Sequence, residues 1–317
     1  MMIVEVVITN KIPAETIQDI KEQLPVNLTQ FQSMEEAKEK LESADGLFLF
    51  GGGLTERVIT SAVNLKWVMT SSAGVENLPL DSLEKRGIVV TNARGVHNVQ
   101  MGEYALHAML DHARKHKVSV EYQQNKRFEN FKPGELYGRT LLILGTGAIA
   151  QAVAMRAKVF GMRVLGINQS GRDVVRFDET YALQELFNVL PNADYIVNVL
   201  PSTPKTKQLI NEESLSYMKH SAVLINFGRG DAVDEQALIQ ALRNNRLAHA
   251  YLDVFEEEPL HVEHPLWEMD EVTITPHIAG YSSHYMERLL PIFKHNLRVF
   301  VEQEGEMKNI VNISEGY

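Results

Sequence analysis

Short runs of β-branched and aliphatic residues alternate with helix-length amphipathic segments along nearly the whole chain. That is the pattern of a parallel α/β protein, whose strands are buried on both faces and read as continuous apolar stretches. In the first third, candidate strands fall at 3–9, 27–31, 46–50, 66–70 and 88–91, with candidate helices between them. The helix opening at Ser33 carries Ser33 and Glu36, a capping-box pair in which each side chain satisfies a backbone donor of the first turn. From about Asn98 to Phe128 the chain reads as one long helical segment, followed by a linker, 129–139, containing Pro133-Gly134. A second strand series follows at 141–144, 163–167, 195–200, 222–226, 249–253 and 273–275, then a terminal helix, 285–303, and a polar tail. No repeat of solenoid period interrupts this order. The pattern predicts two doubly wound parallel-sheet domains, one of residues 1–97 completed by 285–317, and a second, 98–284, inserted into it.

Composition narrows the chemistry. A length of 317 residues exceeds what one hydrophobic core usually serves, and 44% hydrophobic with 23% charged residues is ordinary for a soluble globular protein. The formal net charge of -10, without a dense Lys/Arg stripe, disfavours nucleic acid as a partner. Without cysteine there is no disulfide, thiolate catalysis or cysteine-ligated metal site. The start of the chain reads as a strand and not as a signal peptide. The longest uncharged stretch, 140–155, is too short to span a bilayer. No membrane partner is expected, and the cytoplasm is the expected location.

The run Leu141-Leu142-Ile143-Leu144 leads straight into Gly145-Thr146-Gly147-Ala148-Ile149-Ala150 and then a helix reaching Phe160. This is the dinucleotide fingerprint G-x-G-x-x-G/A in its strand–turn–helix setting, the signature of a Rossmann-type domain. Gly145 permits the tight turn, Gly147 lets the backbone approach a pyrophosphate, and Ala150 allows close helix–strand packing. The N–H groups of Ala148 and Ile149 open the helix where phosphate is stabilised. A glycine turn that merely joins strand to helix is the plainer alternative. The next strand ends at Asn168, where NAD-preferring domains usually place a carboxylate for the ribose 2′-hydroxyl. Asn168, Gln169, Ser170 and Arg172 instead suit a 2′-phosphate, so NADP is favoured over NAD. The alternative is an Arg172 that is simply a solvated loop residue.

Six ordered segments carry a family resemblance: Ser72-Ala73-Gly74-Val75-Glu76-Asn77, the glycine turn, Leu200-Pro201-Ser202-Thr203-Pro204, Asn226-Phe227-Gly228-Arg229-Gly230, Leu252-Asp253-Val254-Phe255 with Glu258-Pro259-Leu260, and Thr275-Pro276-His277-Ile278-Ala279-Gly280. Over essentially its whole length the chain resembles the D-isomer-specific 2-hydroxyacid dehydrogenases. It looks most like the short glyoxylate/hydroxypyruvate reductases and phosphoglycerate dehydrogenases. The resemblance implies a dinucleotide domain inserted into a flavodoxin-like substrate domain, a cleft between them that closes by a hinge, a small 2-oxo or 2-hydroxy acid substrate and a homodimer. It makes Arg229 the substrate-binding arginine, Glu258 the catalytic acid partner and His277 the general acid/base. Leu200, Pro201 and Thr206 correspond to a loop against the adenosine half of the cofactor. Asn226, Phe227, Gly228, Asp253, His277 and Gly280 correspond to positions around the nicotinamide. Ser72, Ala73, Gly74 and Val75 correspond to a loop whose N–H groups bind the substrate carboxylate.

The chemistry is coherent without the family. Reducing a 2-oxo acid needs a cation for the carboxylate and carbonyl, which a planar guanidinium supplies. It also needs a proton donor near neutral pH, and an imidazole beside a carboxylate meets that need. Taken singly, each residue has a plainer reading: Arg229 as an exposed turn residue, Glu258 as the end of a solvated acidic run, His277 as a satisfied histidine. His112 and His116 lack the His-Glu-x-x-His arrangement of zinc proteases, since Ala113, Arg114 and Lys115 lie between them, and no metal is expected. Two other functions remain open at this point. One is a dinucleotide-sensing corepressor-like protein with little turnover. The other is a short phosphoglycerate dehydrogenase, against which the absence of a regulatory extension after the terminal helix weighs modestly.

Overall fold

The computed structural model describes residues 3–313; Met1, Met2 and residues 314–317, part of the expected outer domain, lie outside the described residues. The chain divides into two compact units, one of residues up to Val96 joined by those from Ser282 onward, the other His97–Tyr281.

The first unit is built on a wholly parallel sheet of β1 (Val4–Ile8), β2 (Val26–Gln30), β3 (Gly46–Leu49), β4 (Trp67–Thr70) and β5 (Val89–Thr91), in the order β2-β1-β3-β4-β5. That order is flavodoxin-like. Alternation along the strands divides the core in two. Val7, Leu47, Leu49 and Val68 pack on one face. Val6, Ile8, Phe48, Trp67 and Met69 pack on the other, against Leu289, Phe293, Leu297 and Phe300 of the helix Tyr285–Glu302. Phe293 stacks on Phe48 with ring centroids 4.3 Å apart.

The second unit carries seven parallel strands: β6 (Thr140–Leu144), β7 (Arg163–Asn168), β8 (Glu179–Ala182), β9 (Tyr195–Asn198), β10 (Val223–Asn226), β11 (His249–Leu252) and β12 (Val272–Ile274). Their order, β12-β11-β10-β9-β6-β7-β8, is the dinucleotide-binding winding, which reverses between β6 and β9. Register aligns the strand ends: Leu144 lies opposite Asn198, Asn198 opposite Asn226, Asn226 opposite Leu252, and Leu252 opposite Ile274. Gly145, Val199, Phe227, Asp253 and Thr275 therefore leave the sheet in one row at its carboxyl edge, where open α/β sheets bind ligands.

Three local expectations differ from the structure. β8 was not anticipated, because Glu-Thr-Tyr-Ala at a sheet edge lacks the apolar run of its buried neighbours. The long helical segment breaks at Lys115, which adopts φ 54° between the helices Asn98–Arg114 and His116–Gln124. At Ser33 the cap forms, with the Glu36 N–H donating to its hydroxyl, but the Glu36 carboxylate accepts from Gln32 N–H and not from Ser33.

At the opposite, amino edge of this sheet lies an open cavity of about 460 Å³. His112, Tyr195, His249 and Tyr251 line it together with Asp111 and Thr273. Burial, with His112 and Lys117 adding to it against Asp111, lowers the His249 pKa from its ordinary 6.5 to about 4. The unfolded chain therefore binds a proton that the folded chain refuses between those values, and stability falls as pH drops through that window. The expected loss attributable to His249 is on the order of 2 kcal/mol by pH 4.5. Urea unfolding of wild type and His249→Asn checks this: the variant should show a shallower acid slope, and an identical slope would contradict the assignment.

Candidate active site

At the end of β6, Gly145 adopts φ 100°, and a Cβ there would lie 3.4 Å from Val199, so this corner favours glycine. Nothing lies within 4 Å of the position a Cβ would take on Gly147. Gly147 is the N-cap of the helix Ala148–Val159 and offers no side-chain cap. The first-turn N–H groups of Ala148 and Ile149 are left to a ligand. Thr146 is buried, and its carbonyl accepts from Gln151. A glycine cradle at an uncapped helix start fits the pyrophosphate of a dinucleotide.

Asn168 ends β7, and its side chain shapes the following turn. Oδ1 accepts from the N–H groups of Ser170 (3.1 Å) and Gly171 (2.7 Å), while Nδ2 donates to the Arg172 carbonyl at 2.8 Å. An aspartate could not make that last bond. Gln169 and Ser170 are exposed at this turn. The Arg172 backbone is anchored by Asn168 and Thr180, and its exposed guanidinium forms no ion pair among the described residues.

Between β9 and β10, two fully buried asparagines join the strand ends. Asn198 donates to Asn226 Oδ1 at 2.9 Å and accepts from Leu200 N–H; Asn226 in turn accepts from Gly228 N–H and donates to the Arg229 carbonyl. Leu200, Pro201, Gly228 and Arg229 are thereby held by one polar pair. A Cβ on Gly228 would lie 3.0 Å from the Leu200 carbonyl. Phe227 turns into the core against Tyr104, so only its backbone faces the strand-end row. Thr206 closes the 201–206 loop, donating to the Pro201 carbonyl and accepting from Thr203 N–H.

Asp253, 1% exposed, organises the segment after β12. Its carboxylate accepts from the Thr275 hydroxyl and from the N–H groups of Ile278 and Ala279, both at 2.9 Å. The Asp253 carbonyl accepts from His277 N–H. His277 is thus held at φ 53°, an uncommon region for a non-glycine residue and a form of strain typical of functional sites. Its Nδ1 lies 2.7 Å from Glu258 Oε2, while Glu258 Oε1 accepts from Phe255 N–H at 3.1 Å. Because a carboxylate accepts, Nδ1 carries the proton, and Nε2 takes no partner among the described residues. The Gly280 carbonyl accepts from His97 Nδ1 and Gln100 Nε2. Burial depresses the His97 pKa, partly offset by its Gly280 bond and reinforced by nearby Arg229.

The loop of Arg229 packs directly on that of Glu258. A Cβ on Gly230 would fall 1.8 Å from the Phe255 carbonyl oxygen, so the two backbones touch where any side chain would intervene. Arg229 itself is half-buried and donates to the Gly228 carbonyl.

In the first unit, Ser72 N–H donates to the Thr70 hydroxyl, and the Ala73 carbonyl accepts from Asn92. Among the described residues, the N–H groups of Ala73, Gly74 and Val75 take no partner. Asn198, Glu235 and Gln100 were not singled out from sequence, and Gly230 was noted only as the last residue of the Arg229 segment. Asn198 left a signal there, as a polar residue closing an otherwise apolar strand.

A dinucleotide cradle and an imidazole–carboxylate pair on one sheet edge define an oxidoreductase. Residues 106–279 match the family profile described as D-isomer specific 2-hydroxyacid dehydrogenase, NAD binding domain. The glyoxylate reductase of Thermococcus onnurineus is 32% identical over 313 residues, covering 95% of this chain and 93% of that protein. The D-3-phosphoglycerate dehydrogenase of Methanocaldococcus jannaschii is 31% identical over 315 residues, 98% of this chain but 60% of that longer protein. A solved D-isomer specific 2-hydroxyacid dehydrogenase family protein from Aeromonas salmonicida shares 33% identity, covers 98% of this chain and 100% of its own, and superposes with a TM-score of 0.86. The chain belongs to the D-isomer-specific 2-hydroxyacid dehydrogenase family. It is an NAD(P)-dependent oxidoreductase.

Proposed function

We propose that the protein reversibly reduces a small 2-oxo acid to the D-2-hydroxy acid, with His277 as proton donor, Glu258 as its carboxylate partner and Arg229 holding the substrate carboxylate and carbonyl. The observation that carries this reading is the 2.7 Å bond between His277 Nδ1 and Glu258. It leaves Nε2 to protonate the carbonyl oxygen or, in reverse, to take the hydroxyl proton. A dinucleotide held at residues 145–149 would supply or accept hydride at the substrate carbon. Glu258 orients the imidazole, and Arg229 stabilises negative charge developing on oxygen. The partner-free N–H groups of Ala73, Gly74 and Val75 suit a carboxylate.

Gly145 to Ile149 would hold the pyrophosphate, Leu200, Pro201 and Thr206 the adenosine side, and the backbone of 226–228, Asp253 and Gly280 the nicotinamide side. NADP is the favoured cofactor: Arg172 and Ser170 are exposed in the turn after β7, and a guanidinium and a hydroxyl suit a 2′-phosphate. Arg172→Ala should raise the KM for NADPH by roughly tenfold and change that for NADH little; equal effects would remove the preference.

The reading as a whole is tested by assaying glyoxylate, hydroxypyruvate, pyruvate and branched 2-oxo acids with NADH and NADPH separately. Oxidation of the cofactor by at least one acid is expected. No oxidation with any acid would favour a binding protein over an enzyme. A homodimer is also proposed. Tyr137 lies over Gly161, and Tyr137, Val159 and Phe160 all expose apolar side chains on the second unit, the kind of surface that association covers. Sedimentation at the mass of a single chain would contradict it.

A further inference from the structure

Behind the Glu258–His277 pair lies a second carboxylate–imidazole pair that the reaction does not touch. Glu235 opens the helix Glu235–Arg243, next to its N-cap Asp234, and is only 8% exposed. Both of its carboxylate oxygens are engaged. Oε1 accepts from Glu256 N–H at 2.7 Å, and Oε2 lies 3.3 Å from His264 Nε2. The Leu266 N–H points at His264 Nδ1, so the His264 proton sits on Nε2 and faces Glu235. The exchange with Glu256 is reciprocal, since Glu235 N–H points back at Glu256 Oε1 at 3.4 Å.

We propose that Glu235 is a positioning residue for the reaction, clamping the Phe255–Glu256 peptide so that the Glu258 carboxylate stays on His277. Three contacts form the chain of support. Gly230 presses on the Phe255 carbonyl from one side. Glu235 holds the N–H of the same peptide unit from the other. Phe255 N–H then fixes Glu258 Oε1, leaving Oε2 for His277. Burying a carboxylate is costly unless it is fully hydrogen-bonded, and here it meets a backbone donor two residues from the reactive pair. Burial raises the Glu235 pKa above its ordinary value. The Oε1 bond needs only an acceptor, so an amide can replace the carboxyl there.

The inference rests on the proposed roles of His277 and Glu258, and its test keeps the two apart. The full-length enzyme is assayed for 2-oxo acid reduction as wild type, Glu235→Ala, Glu235→Gln and Glu235→Asp. Glu235→Ala should lower kcat at least about tenfold, with the dinucleotide KM unchanged. The loss should fall on turnover and not on cofactor binding, because a loosened Glu258 no longer holds the imidazole in its orientation. Glu235→Gln, which retains the acceptor for Glu256 N–H, should recover most of kcat. Should the alanine variant not fold, Glu235→Asp, too short to reach Glu256, should show the same selective loss of kcat against a near-normal Glu235→Gln. A wild-type kcat in the alanine or aspartate variant, even with a lowered Tm, would overturn the inference. So would loss of dinucleotide affinity in parallel with turnover. Absence of turnover in the wild type would instead overturn the proposed reaction itself.

Discussion

A His277→Ala enzyme is expected to lose roughly a thousandfold in kcat for 2-oxo acid reduction, with little change in the KM of the dinucleotide. The reason lies in the bonds around one side chain. Asp253 fixes the backbone of the 275–279 segment from below, and Glu258 fixes the imidazole from the side. Only Nε2 is then available to the substrate oxygen, and alanine offers no proton. Because His277 sits at φ 53°, alanine also adds backbone strain. His277→Asn separates the two effects, since asparagine tolerates the left-handed region. The asparagine variant should keep a near-normal Tm and still lose most of kcat. Near-wild-type turnover in either variant would exclude His277 as the proton donor.

Gly230→Ala should do damage of another kind. Its Cβ would lie 1.8 Å from the Phe255 carbonyl oxygen, 1.9 Å from the carbonyl carbon and 2.7 Å from Glu256 N. These are backbone atoms, which cannot swing aside as a side-chain tip can. The loops carrying Arg229 and Glu258 must separate, and the bonds from Glu256 N–H to Glu235 and from Phe255 N–H to Glu258 are the first to go. Overpacking of this severity costs about 3 kcal/mol or more. The expected result is a Tm lowered by about 10 °C and kcat reduced by more than about a hundredfold. Gly134→Ala is the control: its new methyl would meet only the Ala113 carbonyl at 3.5 Å, without a positive φ, and should leave both quantities nearly unchanged. A Gly230→Ala enzyme with wild-type Tm would contradict this packing.

What could be read without the fold depended on whether the signal was local. Buried parallel strands announce themselves as apolar runs, so eleven of the twelve strands, β8 being the exception, were legible to within two residues at either end. β8 was hidden because an edge strand needs no such run. The break at Lys115 was hidden because the left-handed conformation of one lysine leaves no mark on an amphipathic pattern. The glycine turn was legible because its physics is contained in six consecutive residues. Asn168 was legible only in part: the missing carboxylate is visible in sequence, but its bond to the Arg172 carbonyl depends on the turn. Glu235 carries no local signal, and Gly230 shows in sequence only as the glycine that closes the Arg229 segment, not as a packing contact. Each matters because of a backbone more than twenty residues away that the winding of the sheet brings against it. Glu258 drew attention through its place beside Pro259 in an ordered segment, while its contact with His277 is tertiary.

The most direct test follows one atom. Wild-type enzyme is given a reduced nicotinamide cofactor carrying deuterium at both C4 positions, together with the 2-oxo acid of three or more carbons it turns over fastest, and the product is analysed by mass spectrometry and chiral chromatography. The account predicts a D-2-hydroxy acid carrying one deuterium at C2. A product without deuterium, or the L-hydroxy acid, would contradict it.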